Sequence, residues 1–373
     1  MKAQKITYSD VGDNYSTKDP IKKLAQTAAA QTAKNLPGGF EEIKESRGES
    51  AYVWKQGEIF MASVIEGLGT KNLVADKMRD ITGKSYYEIV GHDTVATIIN
   101  DLVTVGAKPL VIHAYWAIEN NSWLADEQRM EDLIAGWTDA CNKASVSWGG
   151  GETPTLKGIV APNTVDLGGS AVGIISTESR LITDKKLQKG DRILFIKSNG
   201  LNANGISLAR AVAEKLPEGY STKLSDGTFF GEAVLTKTNI YAKLIQDLLD
   251  ENVDIHYVSN ITGHGLRKLM RSKRELSYVV EKLFEPQAVF SFIQEHANLS
   301  DEEMYGTYNM GQDYALFLPE QDVQQAQEII TKNGFESLDA GYLEEGERKV
   351  ILNEKYLPAG RQVTFAGESL DLR

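Results

Sequence analysis

Five short glycine-rich stretches constrain the fold of this 373-residue chain more than any other feature of its sequence. They lie at residues 67–71, 149–153, 168–169, 199–205 and 262–265. Most of them fall where an expected strand meets an expected helix, or where a strand ends. Glycine lets the backbone turn tightly and approach a ligand closely, although it costs conformational entropy. The pattern predicts an α/β (α+β) protein whose function lies in these loops.

Hydrophobic periodicity predicts the elements between the loops. We expect strands at residues 58–65, 108–118, 165–176 and 191–197, and helices at 17–34, 93–105, 204–215, 232–250 and 320–333. A chain of this length corresponds to about two domains. The polar stretch 177–190 lies between two apolar strands, so we place the boundary there, with domains at 1–176 and 177–373.

Charge and cysteine content exclude some classes of protein. The 52 acidic and 40 basic side chains give a net charge of −12, which argues against a nucleic-acid-binding protein but allows a locally positive pocket for a small anion. The single cysteine, Cys141, cannot form an internal disulfide and fits a reducing compartment. No apolar run approaches the length of a membrane span, and no apolar leader follows Met1. We therefore expect a cytoplasmic protein without a membrane partner.

The expected helix at 93–105 has an apolar side and a polar side. The polar side consists of Asp93, Thr97, Asn100, Asp101 and Thr104. It carries no Lys or Arg, whereas a solvated helix face usually mixes charges. Unpaired carboxylates of this kind suit Mg²⁺, which typically binds one or two carboxylates together with substrate phosphates. The alternative is an acidic face exposed to solvent.

Three of the glycine-rich loops could be functional, two of them as phosphate sites and one as the support of a carboxylate. In the loop 66–71 the backbone N–H groups can approach phosphate oxygens and Lys71 adds a positive charge. In the loop 149–153 three consecutive glycines precede the carboxylate of Glu152. The stretch 198–205 leads into a helix, whose free N–H groups form an anion site. Each loop has a structural alternative: a tight turn, a folded loop, and an Asn-capped helix start.

The motifs acquire more meaning when they are taken in series. In chain order they are Y-S-D-V-G-D at 8–13, E-G-L-G-T-K at 66–71, G-H-D at 91–93, N-D-L-V-T-V-G-A-K-P at 100–109, G-G-G-E-T at 149–153, D-L-G-G-S-A-V-G at 166–173, S-N-G-L-N-A-N-G at 198–205, T-G at 262–263 and E-M-Y-G-T-Y-N-M-G at 303–311. This series resembles the aminoimidazole ribonucleotide synthetases, or phosphoribosylformylglycinamidine cyclo-ligases, over nearly the whole chain.

The resemblance implies a fold and a reaction. It implies two α/β domains: an N-terminal ATP-binding and dimerisation domain and a C-terminal α/β sandwich. It also implies a homodimer with ATP near the interface. The implied reaction uses ATP and Mg²⁺ to convert formylglycinamidine ribonucleotide into 5-aminoimidazole ribonucleotide, ADP and phosphate, a step of de novo purine biosynthesis. The implied partner is therefore a phosphorylated ribonucleotide.

The resemblance also implies site residues. For ATP and its metal these are Glu66, Gly67, Gly69, Thr70, Lys71, Asp93, Asn100, Gly150, Gly151, Glu152 and Thr153, with Glu66, Asp101 and Glu152 as Mg²⁺ ligands. For the substrate they are Ser198, Asn199, Gly200, Asn204, Gly205, Thr262 and Gly263. Among all of these, the expected catalytic residues are Lys71, Asp101 and Asn204.

The chain departs from the family pattern at five places. Glu66 replaces an Asp, Asn202 replaces a His, and His264 interrupts a T-G-G-G motif. Arg267 and Lys268 then follow where the family differs, and residues 312–314 replace an apolar, glycine-containing stretch. Glutamate keeps a carboxylate that can bind metal, whereas the loss of the histidine removes a possible acid, base or phosphate contact. Two alternatives to the cyclo-ligase therefore stay open: an ATP-dependent enzyme for another amide or amidine, and a nucleotide-binding paralogue without activity.

Overall fold

The computed structural model describes residues 5–7, 9–12, 14–353, 357 and 360–370. Tyr8 and Asp13 of the N-terminal motif lie outside the described residues. The helices are α1 Tyr15–Ala30, α2 Lys71–Thr82, α3 Tyr87–Val103, α4 Glu127–Ala144, α5 Ile206–Lys215, α6 Phe230–Val234, α7 Ala242–Asp250, α8 Ala288–Ala297, α9 Asp301–Tyr305 and α10 Val323–Lys332. The strands are β1 Phe40–Glu42, β2 Tyr52–Gln56, β3 Ile59–Gly67, β4 Lys108–Ile118, β5 Ser147–Glu152, β6 Val165–Ile175, β7 Arg192–Lys197, β8 Tyr257–Asn260, β9 Leu276–Val280, β10 Gln312–Leu318, β11 Ser337–Glu345, β12 Lys349–Leu352 and β13 Val363–Ala366.

Two sheets organise the molecule, and the predicted α/β (α+β) class is confirmed. The first sheet has six strands in the order β1-β2-β3-β6-β4-β5, and the second has seven in the order β13-β12-β9-β11-β7-β10-β8. Each sheet draws its strands from one half of the chain, so the fold consists of two sheet-containing domains. The proposed boundary at 176/177 falls in the connection between β6 and β7.

Helix α3 forms the core of the first domain. Its apolar residues Val95, Ile98, Ile99 and Leu102 are fully buried, as the periodicity predicts. The helix packs on β3 and β6, and α4 packs against it. The opposite face of this sheet carries apolar side chains that are largely or partly exposed: Ile65 is 78% exposed, Ile59 48% and Tyr115 41%.

The predicted helix at 232–250 is wrong in one respect, because it forms two helices, α6 and α7. Between them the backbone of residues 235–241 bonds to side chains of the first domain instead of to its own helix. The Lys71 ammonium donates to the carbonyl of Thr236, and the Asn100 amide oxygen accepts from the N–H of Tyr241. The helix is interrupted because its backbone groups hold the domains together.

Membrane-spanning helices can be judged from length and hydropathy. Within the part of the chain that the structure describes, no helix is long and apolar enough to cross a bilayer.

Candidate active site

A cavity of about 640 Å³ opens between the two domains. Its walls come from α1, from both domains and from four loops: Lys18, Lys22, Ala25, Gln26, residues 48–50, residues 66–70, Thr97, Asp101, residues 203–207, residues 262–264, Lys268 and Arg271. Three of the predicted glycine-rich stretches, far apart in the sequence, therefore meet at this cavity.

Two helices begin at the cavity wall. The loop after β3 is held to β6 by a hydrogen bond from the N–H of Leu68 to the carbonyl of Leu167, 2.8 Å long. It turns at Gly69, whose φ is +75°, and leads into α2. Helix α5 begins after Gly205, which also has a φ of +75°. Because a helix N-terminus presents free N–H groups and a positive dipole end, these two starts are suited to phosphate.

Gly205 has a steric reason to be glycine as well as a conformational one. A Cβ atom at this position would lie 1.9 Å from the ring of Tyr308. The Tyr308 hydroxyl donates to the carbonyl of Gly205 over 2.9 Å, which fixes the turn. A larger residue here would displace the start of α5 from the cavity.

Three carboxylate residues line this cavity: Glu66 on β3, Asp101 on α3, and Glu49, which pairs with Arg271 over 3.7 Å. Asp101 Oδ1 accepts a hydrogen bond of 2.7 Å from the Asn260 amide of the second domain. Burial and the nearby Asp101 charge raise the pKa of Glu66 to about 7, although Lys268 opposes this shift. Glu66 and Asp101 lie beside helix starts that are suited to phosphate, and carboxylates in such a place are donors that Mg²⁺ prefers, so these two residues fit the implied metal.

Four basic side chains line the same cavity, and the sequence reasoning missed all of them: Lys18, Lys22, Lys268 and Arg271. Lys268 Nζ donates to Thr262 Oγ1 over 2.7 Å, and Arg271 donates to Ser50 Oγ over 2.7 Å. Burial, followed by the charge of Arg271, lowers the pKa of Lys268. Two sequence signals could have indicated these residues. Lys18 and Lys22 are four positions apart on one helix, and Lys268 and Arg271 belong to a dense basic stretch after the T-G motif.

His264, one of the departures from the family pattern, lies at the cavity wall with a left-handed backbone at φ +72°. Its Nε2 lies 3.3 Å from Asp19 Oδ2 on α1. Burial and the charge of Lys268 lower the pKa of this imidazole to about 2. His264 is therefore neutral at physiological pH and adds no charge to the cavity.

Lys71 does not reach the cavity, which contradicts its predicted contact with phosphate. Its side chain is fully buried and forms an ion pair with Asp93. It also donates to the carbonyls of Asn202 and Thr236 over 2.9 and 2.8 Å. A lysine ammonium has three donors, and all three are used: one on Asp93 of the same domain and two on carbonyls of the second domain.

The predicted metal-facing side of α3 is mostly an interdomain contact. Asp93 accepts from the N–H of Thr238 over 2.9 Å in addition to its pair with Lys71. The Asn100 amide donates to the carbonyl of Asn239 over 2.8 Å. The expectations that Asp93 and Asn100 bind ATP are therefore not met, because the second domain covers both. Asp101 and Thr97 are the residues of this side that face the cavity.

Glu152 lies away from the other two predicted metal ligands. It is exposed in β5 at the sheet edge, with Gly150, Gly151 and Thr153 beside it. The register aligns Glu152 with Tyr115, Gly168 and Gly67, three strand spacings or about 14 Å from β3. The expected cluster of three carboxylates is therefore wrong for a single chain. Among the described residues, no group of three His, Cys, Asp or Glu could hold a metal ion.

The predicted substrate residues divide into two groups. Asn204, Gly205, Thr262 and Gly263 line the cavity. Ser198, Asn199 and Gly200 do not: the Ser198 hydroxyl donates to the Gly200 carbonyl over 2.7 Å and accepts from the Gly200 N–H over 3.0 Å. These three residues shape the turn that leads to Asn204 rather than contact the cavity.

Two departures from the family pattern prove to be partners. The side chain of Asn202 donates to Asp313 Oδ1, while the Tyr241 hydroxyl donates to Asp313 Oδ2 over 2.5 Å. Burial raises the pKa of Asp313 to about 6. Asn202 is itself buried, so the residue that replaces the family histidine binds behind the cavity wall rather than in it.

Relatives with curated names share most of this chain. A phosphoribosylformylglycinamidine cyclo-ligase of Carboxydothermus hydrogenoformans is 33% identical over 303 residues, which covers 80% of this chain and 84% of that protein. The protein of the same name from Methanococcoides burtonii is 32% identical over 331 residues, covering 88% and 93%.

Solved structures share the fold at lower identity. A HypE–HypF complex matches with a TM-score of 0.61 at 18% identity, covering 91% of this chain and 99% of that one. The hydrogenase maturation protein HypE in complex with ATP matches with a TM-score of 0.58 at 16% identity, covering 84% and 85%. AaThiL complexed with AMPPCP and TMP also has a TM-score of 0.58, at 13% identity over 89% and 94%.

The two domains match two successive parts of one family. Residues 48–175 match the N-terminal domain of the AIR synthase related proteins, and residues 188–353 match their C-terminal domain. The matched segments contain β2 to β6 and β7 to β12, so they cover most of both sheets. The chain therefore belongs to the AIR synthase related protein family.

Proposed function

We propose that this protein catalyses the ATP-dependent cyclisation of formylglycinamidine ribonucleotide to 5-aminoimidazole ribonucleotide in de novo purine biosynthesis. The names of relatives at 32–33% identity support this reaction. The structural observation that carries it is the interdomain cavity, where two helix starts, four basic side chains and three carboxylates converge. The fit of this wall to phosphate groups supports binding of a phosphate-rich substrate pair, and the names of the relatives favour this reaction over the alternatives.

The first chemical step requires activation of a poor leaving group. A formamide oxygen leaves easily only after it is phosphorylated by ATP. Mg²⁺, when bound, would neutralise charge on the phosphoryl group during transfer. In this proposal Glu66 and Asp101 would hold the metal, the loop 67–70 and the start of α2 would bind the triphosphate, and the basic side chains would stabilise developing charge.

The second step, ring closure, depends mainly on how the enzyme positions the substrate and less on catalytic groups. The amidine nitrogen attacks the activated carbon within the same molecule, phosphate departs, and a five-membered ring forms. An intramolecular nucleophile has a high effective molarity once it is held in the right conformation. Asn204, Gly205, Thr262 and Gly263, on the wall from the second domain, would hold the ribose phosphate during this step.

The proposal includes a two-fold dimer through the open face of the first sheet. Ile65, Ile59 and Tyr115 form an exposed apolar surface there. Glu152 and its glycines lie at the edge of the same sheet, outside the cavity of their own chain. A partner chain on this face would cover the apolar surface, and its Glu152 could supply the carboxylate that a single chain lacks.

The reaction can be tested directly with purified protein, ATP, Mg²⁺ and formylglycinamidine ribonucleotide. We expect ADP together with an aminoimidazole that diazo coupling detects. ATP binding without turnover would instead support a paralogue without this activity. Turnover of a different amide or amidine would support the second alternative.

The dimer has its own test, which is sedimentation velocity of an Ile65→Asp variant. We expect the wild type to sediment as a dimer and the variant as a monomer, because the aspartate charge would be buried in the contact. Ile134→Asp is the matched control, since Ile134 is 43% exposed on α4, which packs on the other side of the sheet. A monomeric wild type would contradict this part of the proposal.

A further inference from the structure

Helix α1 lies across the cavity and outside the two segments that match the family. The stretch before it is attached to the second domain. The N–H of Ile6 donates to the carbonyl of Ala297 at the end of α8 over 3.0 Å, and Lys5 pairs with Glu303 on α9 over 2.7 Å. From this attachment α1 leads across the cavity, so its position decides how far the cavity is closed.

Hydrophobic packing does little to fix α1 at this place. Except for Asp19 and Gln26, residues 17–30 are exposed. The large apolar side chains of Ile21 and Leu24 are 64% and 66% exposed, so they bury little surface against the rest of the molecule. A helix with few buried apolar contacts has little stability of its own and depends on polar contacts for its position.

A hydrogen bond between His264 and Asp19 supplies such a polar contact. His264 Nε2 lies 3.3 Å from Asp19 Oδ2, and the two side chains are only 5% and 16% exposed. An ionised carboxylate can only accept, so Nε2 donates the proton. Because the pKa of His264 lies far below its ordinary value, the imidazole is neutral, and the contact adds no positive charge beside Lys268.

The backbone at His264 favours glycine. Its φ is +72°, a left-handed conformation that glycine adopts without strain and that residues with a Cβ atom adopt at a cost. The family motif T-G-G-G has glycine at this position, whereas this chain has histidine. A strained residue that replaces an unstrained one indicates a role for its side chain. The hydrogen bond to Asp19 is the role that the structure shows.

Two lysines accompany Asp19 on α1. Lys18 and Lys22 are one turn apart on the same side of the helix, and both line the cavity. Burial and the charge of Lys268 are the largest causes of the low pKa of His264, and the charge of Lys22 contributes to it. Lys22 therefore lies close to the wall that carries His264 and Lys268. Positive charges that face one space from two walls favour an anion between them.

We propose that His264 is a positioning residue, which holds α1 against the cavity through Asp19 so that Lys18 and Lys22 bind the phosphate groups of the substrates. The inference rests on the proposed function, because it takes the cavity as the active site. It also explains a departure from the family pattern. The imidazole replaces a family glycine because α1 of this chain supplies the carboxylate to which it bonds.

The test compares His264→Gly with the wild type, because glycine restores the family residue and fits the left-handed backbone. We expect amide hydrogen exchange of residues 17–30 to become about tenfold faster, as loss of one hydrogen bond allows. Calorimetric affinity for ATP in the presence of Mg²⁺ should fall about fivefold, since the exposed lysines then lose their fixed position. The free energy of unfolding in urea should not fall, whereas a merely structural role of His264 predicts that it does.

Three further variants serve as controls. Asn252→Gly is the matched one, because Asn252 is an exposed residue with a φ of +58° just after α7 and lies outside the cavity wall. Asp19→Ala should reproduce the effects of His264→Gly and add little to them in the double variant, since each change removes the same contact. Lys22→Gln should weaken ATP binding and leave the exchange of α1 unchanged.

Three results would overturn the proposal. The first is unchanged exchange of α1 in His264→Gly. The second is faster exchange with undiminished affinity for ATP. The third is an equal effect in Asn252→Gly. These measurements need neither formylglycinamidine ribonucleotide nor turnover, so their failure is distinguishable from failure of the proposed reaction.

Discussion

Asp93 and Asp101 stand eight residues apart on one helix, about 12 Å along its axis, and have different environments. Asp93 is fully buried and is neutralised by the Lys71 ammonium and a backbone N–H of the second domain. Asp101 lies at the cavity wall, where an amide of Asn260 is its hydrogen-bond partner. One carboxylate joins the domains, while the other is available to a ligand.

The difference shows what decides the role of an acidic residue in such a helix. Both side chains belong to the same polar side, so periodicity alone cannot distinguish them. The distinction comes from Lys71, which lies before Asp93 in the sequence and reaches it only in the folded molecule. A carboxylate with a fixed cation is structural, and one without a fixed cation can bind metal.

The largest expected effect is on stability, from Lys71→Met. Removal of the cation leaves Asp93 buried and uncompensated, which typically costs about 3–5 kcal/mol. Urea denaturation should show this loss in the free energy of unfolding. Adding Asp93→Asn to the variant should recover part of it. Full stability together with lost turnover would instead indicate that Lys71 acts in the active site.

The next largest effect is expected on turnover, from Asp101→Asn. Loss of a metal-binding carboxylate should lower Mg²⁺-dependent kcat/KM at least tenfold, about 1.4 kcal/mol in transition-state free energy. Steady-state kinetics at several Mg²⁺ concentrations would measure it. Glu131→Gln is the matched control, an exposed acid on α4. Near-normal rates in Asp101→Asn would show that Asp101 is not a metal ligand.

A smaller effect is expected from pH, through Glu66. Its pKa of about 7 means that a proton competes with metal for this carboxylate below neutral pH. The apparent Mg²⁺ affinity should therefore fall as pH decreases below 7, by up to about tenfold per pH unit. Calorimetric titration of Mg²⁺ with ATP present would measure the slope. Glu66→Gln should remove this dependence, and an unchanged slope in that variant would assign it to another group.

Much of the fold could be predicted because its signals are local. The strand β4 matches the predicted bounds, and β6 and β7 match within one residue, since continuous apolar runs mark buried strands. The glycine-rich part of the cavity wall could also be predicted from local sequence signals. The loops 66–70 and 203–205 and Thr262–Gly263 each place glycine or a small residue at a strand end or helix start, and all of them meet at the cavity.

The remaining site residues depend on tertiary contacts that no local pattern contains. Lys18 and Lys22 reach the cavity because α1 lies across it, and Lys268 and Arg271 because their loop folds back beside Thr262. Glu152 stays outside because β5 is an edge strand. The departure at Asn202 also depends on a distant contact, because its partner Asp313 lies 111 residues later in the chain.

The smallest predicted effect concerns that pair and tests whether the two departures compensate each other. In a double-mutant cycle of Asn202→Ala and Asp313→Asn, we expect a coupling free energy of about 1 kcal/mol from urea denaturation. The pKa of Asp313, about 6, lies above its ordinary value of 3.8. Its contribution to stability is therefore complete below pH 3.8 and is lost as pH rises through 6. Asp313→Asn should reduce the loss of stability over this range, and strict additivity of the two substitutions would show that they do not compensate each other.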